Sequence, residues 1–422
     1  MLRAAVLLLA GCAAIAQTGV PSDVLTLTRI QRKMRENLAH LPDYTCVETI
    51  VRAQRADEST AYRPMDTLRV EVLHIGDKEL YAWPGEKKFE DKLGLLVGVG
   101  TTSSGEFALH ARSIFLGNTQ SKFGGEETIR GRRALRYDYR IGMLSSGMTL
   151  TYAAHSGHVS TRGSFWVDPE TLDLLRLDVH AEEIPPDLPY SGAISTVDYG
   201  RVRIGSSDTV LPQSAELILN YSSGLSSRND LQFSQCRSYA AASEIRFDAE
   251  PSAAPPPPKI NKPVEIDLPA DLRLGLRLEE EISSKTAAEG DLITARFQTA
   301  VKRKNVELIP AGAIARGRIR RLESYAEPRP HFIVGLEFQE IIFDGRRAAF
   351  TGQLDWIDPL PGITWFLHTS KSKTFSDLSS NIRNDNIRTA DLPGVGTFFV
   401  EGAQFALPTG FQMIWRTVAL KK

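Results

Sequence analysis

Hydrophobic and polar residues alternate at period two over most of this chain. Leu135, Tyr137, Tyr139 and Ile141 fall on one face, and Arg136, Asp138 and Arg140 on the other. Leu175, Leu177 and Val179 alternate with Arg176 and Asp178, and Ala215, Leu217, Leu219 and Tyr221 repeat the pattern. Period two is the signature of a half-buried strand. Phe165-Trp166-Val167 and Leu174-Leu175 flank Asp168-Pro169-Glu170-Thr171, where proline presets a turn, so a β-hairpin is expected there. Phe233 to Phe247 reads as a closing strand or strand pair. The exception comes early: Leu27, Ile30, Met34 and Leu38 recur at steps of three and four, behind Ser22 or Asp23 as a cap and ahead of Pro42. That spacing predicts a leading helix. A glycine-rich loop is expected over Leu93–Gly105, and a short helix over Glu106–Leu116.

A second alternating region lies further on. Leu272, Leu274, Leu276 and Leu278 oppose Arg273, Gly275, Arg277 and Glu279, and Phe332, Val334, Leu336 and Phe338 do the same. Leu268-Pro269-Ala270-Asp271, Ile309-Pro310-Ala311-Gly312 and Leu407-Pro408-Thr409-Gly410 each precede a strand, with good turn chemistry. Between the two regions stands Pro251-Ser252-Ala253-Ala254-Pro255-Pro256-Pro257-Pro258. Consecutive prolines donate no ladder hydrogen bonds and favour an extended spacer. The predicted organisation is a signal over 1–16, an antiparallel β domain over 17–248, a proline-rich linker over 249–264 and a small β-barrel or sandwich over 265–422. The fold class is mainly β with a few helices.

The N-terminus suggests an address. Arg3 is followed by a run from Ala4 to Ala16 whose only polar residue is Cys12. The run is too short to span a bilayer and reads as a secretory signal. Two cleavage readings stand open. Ala14-Ile15-Ala16 fits ordinary cleavage before Gln17, whereas Leu9-Ala10-Gly11-Cys12 resembles a bacterial lipobox, in which Cys12 would be acylated. Both place the mature chain outside the cytoplasm. The remaining Cys46 and Cys236 would then form a disulfide. It would join the first strand of the N-terminal domain to its last, at roughly 4–5 kcal/mol in the chain-entropy model.

Two resemblances follow from these motifs. Gly131-Arg132-Arg133-Ala134-Leu135-Arg136-Tyr137 and Phe165-Trp166-Val167-Asp168-Pro169-Glu170-Thr171, behind a leading helix, resemble the carrier LolA and its relatives, including the stress regulator RseB. The resemblance implies an unclosed antiparallel β-barrel with a helical lid over an apolar cavity, and a lipid or lipoprotein as ligand. Ile282-Ser283-Ser284, Gly290-Asp291 and Ile309-Pro310-Ala311-Gly312 with Gly317 resemble the C-terminal β-barrel domain of TrbI-type conjugal-transfer proteins.

Charge and chemistry narrow the picture. Fifty Lys and Arg against 51 Asp and Glu give a net charge of -1, which argues against a nucleic-acid coat. Three cysteines cannot build a four-cysteine zinc site. His155 and His158 are separated by Ser156-Gly157, which denies them a helix, so a metal site is not expected. Ser370-Lys371-Ser372-Lys373 contains a Ser-x-x-Lys spacing without a helical context, and Gly94–Gly105 lacks the Gly-Lys-Ser/Thr ending of a phosphate loop. Within that loop Leu95, Leu96, Val97 and Val99 must pack or bind something. Trp83, Leu96, Val97, Phe107 and Trp166 are the candidate residues for the cavity that the LolA resemblance implies. Arg316, Arg318 and Arg320 share one strand face, which suggests either ion pairs with carboxylates such as Glu337 or contact with an anionic head group or glycan. The reading favoured is an exported, non-catalytic envelope protein without cofactor. Its alternatives are a scaffold that docks other envelope proteins and an envelope hydrolase with a dispersed site.

Overall fold

The computed structural model describes residues 22–97, 100–117, 119–205, 207–239, 264–327, 329–364, 392 and 394–418. The signal segment with Cys12, the proline-rich linker apart from Val264, and Ser370–Lys373 lie outside the described residues. Helix α1 covers Ser22–Ala39. Strands β1 (Tyr44–Arg55), β2 (Arg63–Ile75) and β3 (Lys78–Ala82) follow, then helix α2 (Leu109–Leu116). Next come β4 (Gln120–Ile129), β5 (Arg132–Ile141), the helical turn α3 (Met143–Ser146) and the hairpin β6 (Thr149–Tyr152) and β7 (His155–His158). Strands β8 (Ser160–Val167), β9 (Leu174–Glu182), β10 (Tyr190–Ile204), β11 (Ser207–Tyr221) and β12 (Ser226–Ser238) complete this half.

Ten of these strands form one antiparallel sheet in the order β4-β5-β8-β9-β10-β11-β12-β1-β2-β3. Neighbours in sequence are neighbours in space, apart from the return of β12 to β1. No pairing joins β3 to β4 among the described residues, so the barrel is unclosed. The alternation seen in sequence sets the inner face. Tyr137, Phe165, Leu177 and Val179 pack against Ile30 and Met34 of α1 and Ile114 and Phe115 of α2. The outer face carries charge ladders, in which Asp198 binds both Arg130 and Arg176. The helix expected from Glu106 begins at Leu109, because Glu106–Ala108 form a turn.

Cys46 and Cys236 are bonded, with Cα atoms 4.0 Å apart. The bond lies between the first strand and the last, as their positions predict. It sits where the β1–β12 register shifts, between Thr45 and Val47.

The second half is built from β13 (Val264–Ile266), β14 (Arg273–Leu278), β15 (Ile282–Ser283), β16 (Leu292–Phe297), β17 (Val301–Arg303), β18 (Val306–Ile309), β19 (Ile314–Tyr325) and β20 (His331–Phe343). It ends with β21 (Arg346–Ala349), β22 (Gly352–Ile357), β23 (Ile363–Thr364), β24 (Val395–Glu401), β25 (Ala406–Leu407) and β26 (Gln412–Thr417). A curved antiparallel sheet, β22-β26-β14-β16-β19-β20-β24, wraps a single core around Leu274, Leu276, Phe338, Phe398 and Trp415. The residues closing the three Pro turns, Asp271, Gly312 and Gly410, all take positive φ.

The two halves share a joint that periodicity does not foretell. Strand β3 stops before it covers the first half of β2, and an uncovered edge is a liability. Residues from the second half fill that place. Arg69 N donates to Glu289 O and Glu289 N donates to Thr67 O, both at 2.8 Å, and Glu323 of β19 pairs with Asp66. Arg69 also pairs with Asp291. Gly290 is the tightest point: its φ is +103°, and a Cβ there would meet Arg69 O at 2.2 Å and the Trp83 ring at 2.6 Å.

Two outcomes test this architecture. Replacing Cys46 and Cys236 together by Ala opens a loop of 190 residues. It should lower stability by up to about 5 kcal/mol in urea titration, with smaller losses where β1–β12 pairing persists in the unfolded ensemble. Gly290→Ala should destabilise the joint by about 2 kcal/mol or more and expose Trp83 to quenchers, since both backbone and space oppose it.

Candidate functional site

The inner face of β1, β2 and β3 carries an unusual set of side chains. Tyr44, Cys46, Glu48, Ile50 and Arg52 alternate on β1, opposite His74, Val72, Val70, Leu68 and Asp66 of β2. Glu79 and Tyr81 of β3 continue the face beside His74 and Val72. Apolar members build one cluster with Leu93, Val97, Phe107, Leu231 and Phe233, against which Leu96 packs. Phe107 stacks at a tilt on Tyr44 at 4.8 Å and on Phe233 at 5.3 Å. Residues 93–97 and 100–108 are therefore seated on the concave face through their own apolar side chains.

Polar anchors hold it there. Glu79, 5% exposed, accepts hydrogen bonds from Gly105 N (2.8 Å), Ala108 N (2.7 Å), Leu109 N (3.1 Å) and the Tyr81 hydroxyl (3.0 Å). It thus binds amides at the start of α2 that have no partner within the helix. Asn229 donates to Thr101 O at 3.0 Å. Arg52 lies under Gly100, where a Cβ would meet its guanidinium at 2.5 Å. Arg52 is itself gripped by Asp66 in a buried bidentate pair, at 2.6 and 2.5 Å.

Two more carboxylates are buried beside Glu79. Glu106 has Ser195 Oγ at 3.4 Å and His110 Nε2 at 3.9 Å. Burial opposes its ionisation, but hydrogen bonding and charge from His110 hold its carboxyl below the usual range. Glu48 has no such partner. Desolvation, then the charges of Glu106 and Glu79, push it well above the usual carboxylate range. Glu79 is also raised, by burial first, with the backbone amides working against the shift. Glu48 Oε2 and the hydroxyls of Tyr44 and Tyr199 are buried without a hydrogen-bond partner.

The residues singled out from sequence divide clearly. Trp83, Leu96, Val97 and Phe107 come together in this one cluster. Trp166 does not join them. It packs with Ala134 and Leu175 on the opposite face of the sheet, and its Nε1 donates to Glu127 at 2.8 Å. The reason is parity, since Phe165 and Val167 take the inner positions of β8. Arg316 has Glu340 at 3.7 Å, and Arg320 binds Glu337 at 2.8 Å with its guanidinium 5.7 Å from the Trp83 ring centroid. Arg318 corrects the expectation of an exposed anion contact. Its side chain is 2% exposed and serves the joint, donating to Gly290 O, Pro84 O and Glu86. His155 and His158 lie on the exposed strand β7. A separate cleft of ≈ 200 Å³ lies among Leu278, Ile282, Thr286, Asp291 and Leu292, and it is lined by residues of the TrbI-type motif but by none of the candidate cavity or arginine residues.

No protein-family model and no curated protein matches the chain. Among solved structures it is similar to an outer membrane lipoprotein-sorting-type protein domain from Vibrio parahaemolyticus. That match has 11% identity and a TM-score of 0.29, and covers 51% of this chain and 93% of the other. It is also similar to a DUF1329 family protein from Desulfovibrio piger, at 12% identity and a TM-score of 0.28, covering 52% and 95%. At these scores the likeness carries no argument, and the functional reading rests on the geometry above.

The carboxylates missed from sequence make the sharpest test. Glu79→Ala should cost about 2–4 kcal/mol, because it leaves buried amides unpaired. Hydrogen exchange at Gly105–Leu109 should rise with it. For Glu48 the sign runs the other way. Its folded-state value lies above the unfolded one, so its contribution is full below the unfolded carboxylate range and is lost as pH rises through the folded value. Glu48→Gln removes that titration. The variant's Tm should fall less than that of the parent protein as the pH is raised above the unfolded carboxylate range.

Proposed function

We propose that this is an exported, non-catalytic protein of the bacterial cell envelope that binds an apolar ligand, such as an acyl chain, a lipid or a lipoprotein, on the concave face of its N-terminal sheet. The observation that carries the reading is the seating of residues 93–97 and 100–108. Leu93, Leu96, Val97 and Phe107 cover the open sheet as a lid rather than as a strand of it. The lid is attached through a few polar anchors, and such contacts exchange more readily than a closed β-ladder. A ligand would lie between Val97 and Phe107 of the lid and Trp83, Val70 and Phe233 of the sheet. Burying apolar area at about 25 cal/mol per Å² would drive its binding. In this reading 17–248 is the ligand-binding domain, and 265–422 is an interaction module joined to it at β2 and through the linker.

The scaffold reading draws on one observation. Strand β4 pairs only with β5 among the described residues, so its outer edge is open. Lys122, Glu126, Glu127 and the register shift between Phe123 and Gly125 weigh against it, since charges and bulges discourage strand addition. The ligand reading is therefore preferred.

Native mass spectrometry of the protein purified from its envelope fraction should show an added apolar mass. Val97→Asp should abolish it and weaken the binding of a hydrophobic dye at least tenfold. A protein that carries no added mass and binds no dye would overturn the proposal. Intact mass of the mature chain should begin at Gln17 or at an acylated Cys12.

A further inference from the structure

The lid explains how an apolar chain could be covered, but not why three carboxylates are buried beside it. Two of them have roles on the page. Glu79 is saturated by four donors and anchors the lid. Glu106 is matched to Ser195 and His110. Glu48 is different. It is 4% exposed, and Oε2 has no hydrogen-bond partner. Its strand neighbours on the same face are Cys46 and Ile50, and its cross-strand partners are Val70 and Phe233. The guanidinium on its own strand face, Arg52, is already held bidentate by Asp66. Tyr44, fully buried, and Tyr199 add two hydroxyls without partners, and both feel the charge of Glu79.

Buried polar atoms in folded proteins are almost always satisfied, so a group of orphans on one face needs an explanation. We infer that Glu48 is the acceptor for the protonated amine head of the amphiphile held under the lid. This inference rests on the reading of residues 93–97 and 100–108 as a lid over an apolar ligand. An ammonium supplies what Glu48 lacks: an N–H donor for Oε2 and a positive charge that lets the buried carboxyl ionise. An anionic head would oppose that ionisation in a low dielectric, which is unfavourable. A neutral hydroxyl head would satisfy one bond without relieving the charge. A bare metal ion fits poorly, because among the described residues no three His, Cys, Asp or Glu side chains converge as ligands. The apolar walls Val70, Phe233 and Phe107 would take the alkyl chain alongside.

The test compares three probes of one chain length below their micellar concentrations: dodecylammonium, dodecanol and dodecyl sulfate. Each displaces a fluorescent hydrophobic dye from the full-length protein at pH 7. Dodecylammonium should compete about ten- to a hundredfold better than dodecanol, and dodecyl sulfate worst, as a charge-assisted bond in a buried site requires. Glu48→Gln should bring dodecylammonium level with dodecanol and leave dodecanol unchanged. Thermal unfolding of the variant checks that it is folded, and the comparison in the parent protein needs no variant at all. Equal competition by all three probes, a preference for sulfate, or an ammonium preference that survives Glu48→Gln would overturn the inference while leaving the apolar-ligand reading intact. Failure of the dye and of every probe to bind would remove the lid reading, and this inference with it.

Discussion

The buried pair of Arg52 and Asp66 is the interaction on which the rest of the molecule turns. Two charges with side chains 2% and 4% exposed are costly to bury, and they are tolerated only because the contact is bidentate. Three parts of the protein meet there. Arg52 lies beneath Gly100 of the lid. Asp66 is the strand partner of Glu323, and Arg52 feels the charges of Glu289 and Glu323 from the second half. Removal of either partner would leave a buried charge uncompensated, a defect of about 3–5 kcal/mol. Lid, sheet and C-terminal half therefore share one electrostatic hub.

That hub changes what the proline-rich segment means. A linker of this composition predicts two bodies that orient independently. The joint at β2 argues for a fixed relation, through main-chain bonds at Thr67 and Arg69 and through Arg318, whose buried guanidinium reaches Pro84 O and Glu86. The C-terminal half thus protects an edge that the short strand β3 leaves bare. It also meets the strand whose Asp66 holds Arg52, next to the lid.

Much of the fold was legible because it depends on local pattern. Period-two alternation marks a strand wherever one face is wet, and it identified β5, β9, β11, β14 and β20. Turn chemistry identified the Asp168–Thr171 hairpin, where Asp168 Oδ1 accepts from Glu170 N and Thr171 N. Cys46 and Cys236 were paired by counting and by compartment. Trp166 escaped because strand parity directs it to the outer face while Phe165 and Val167 take the inner one. Arg318 escaped because its neighbours do look solvated: long-range contacts with Gly290 O, Pro84 O and Glu86 separate it from Arg316. Glu48, Glu79 and Glu106 gave no signal at all. A glutamate between Val47 and Thr49 reads as an outward-facing strand position unless the far side of that strand is known.

The buried carboxylates deserve a physical account rather than a label. Glu48 and Glu79 lie on the sheet face and Glu106 on the lid segment that covers it, so each is costly unless something compensates. Glu79 is compensated by main-chain amides of the lid and Glu106 by His110, which travels with it. Seating the lid and solvating Glu79 are therefore alternatives: while the lid is seated its amides replace water, and when it lifts water must enter. This makes the closed state depend on polar matching as much as on Val97 and Phe107. It also separates the two carboxylates that are answered by the protein from Glu48, which is not. A ligand that answers Glu48 would be selected by its head, while the lid's apolar residues respond only to its chain.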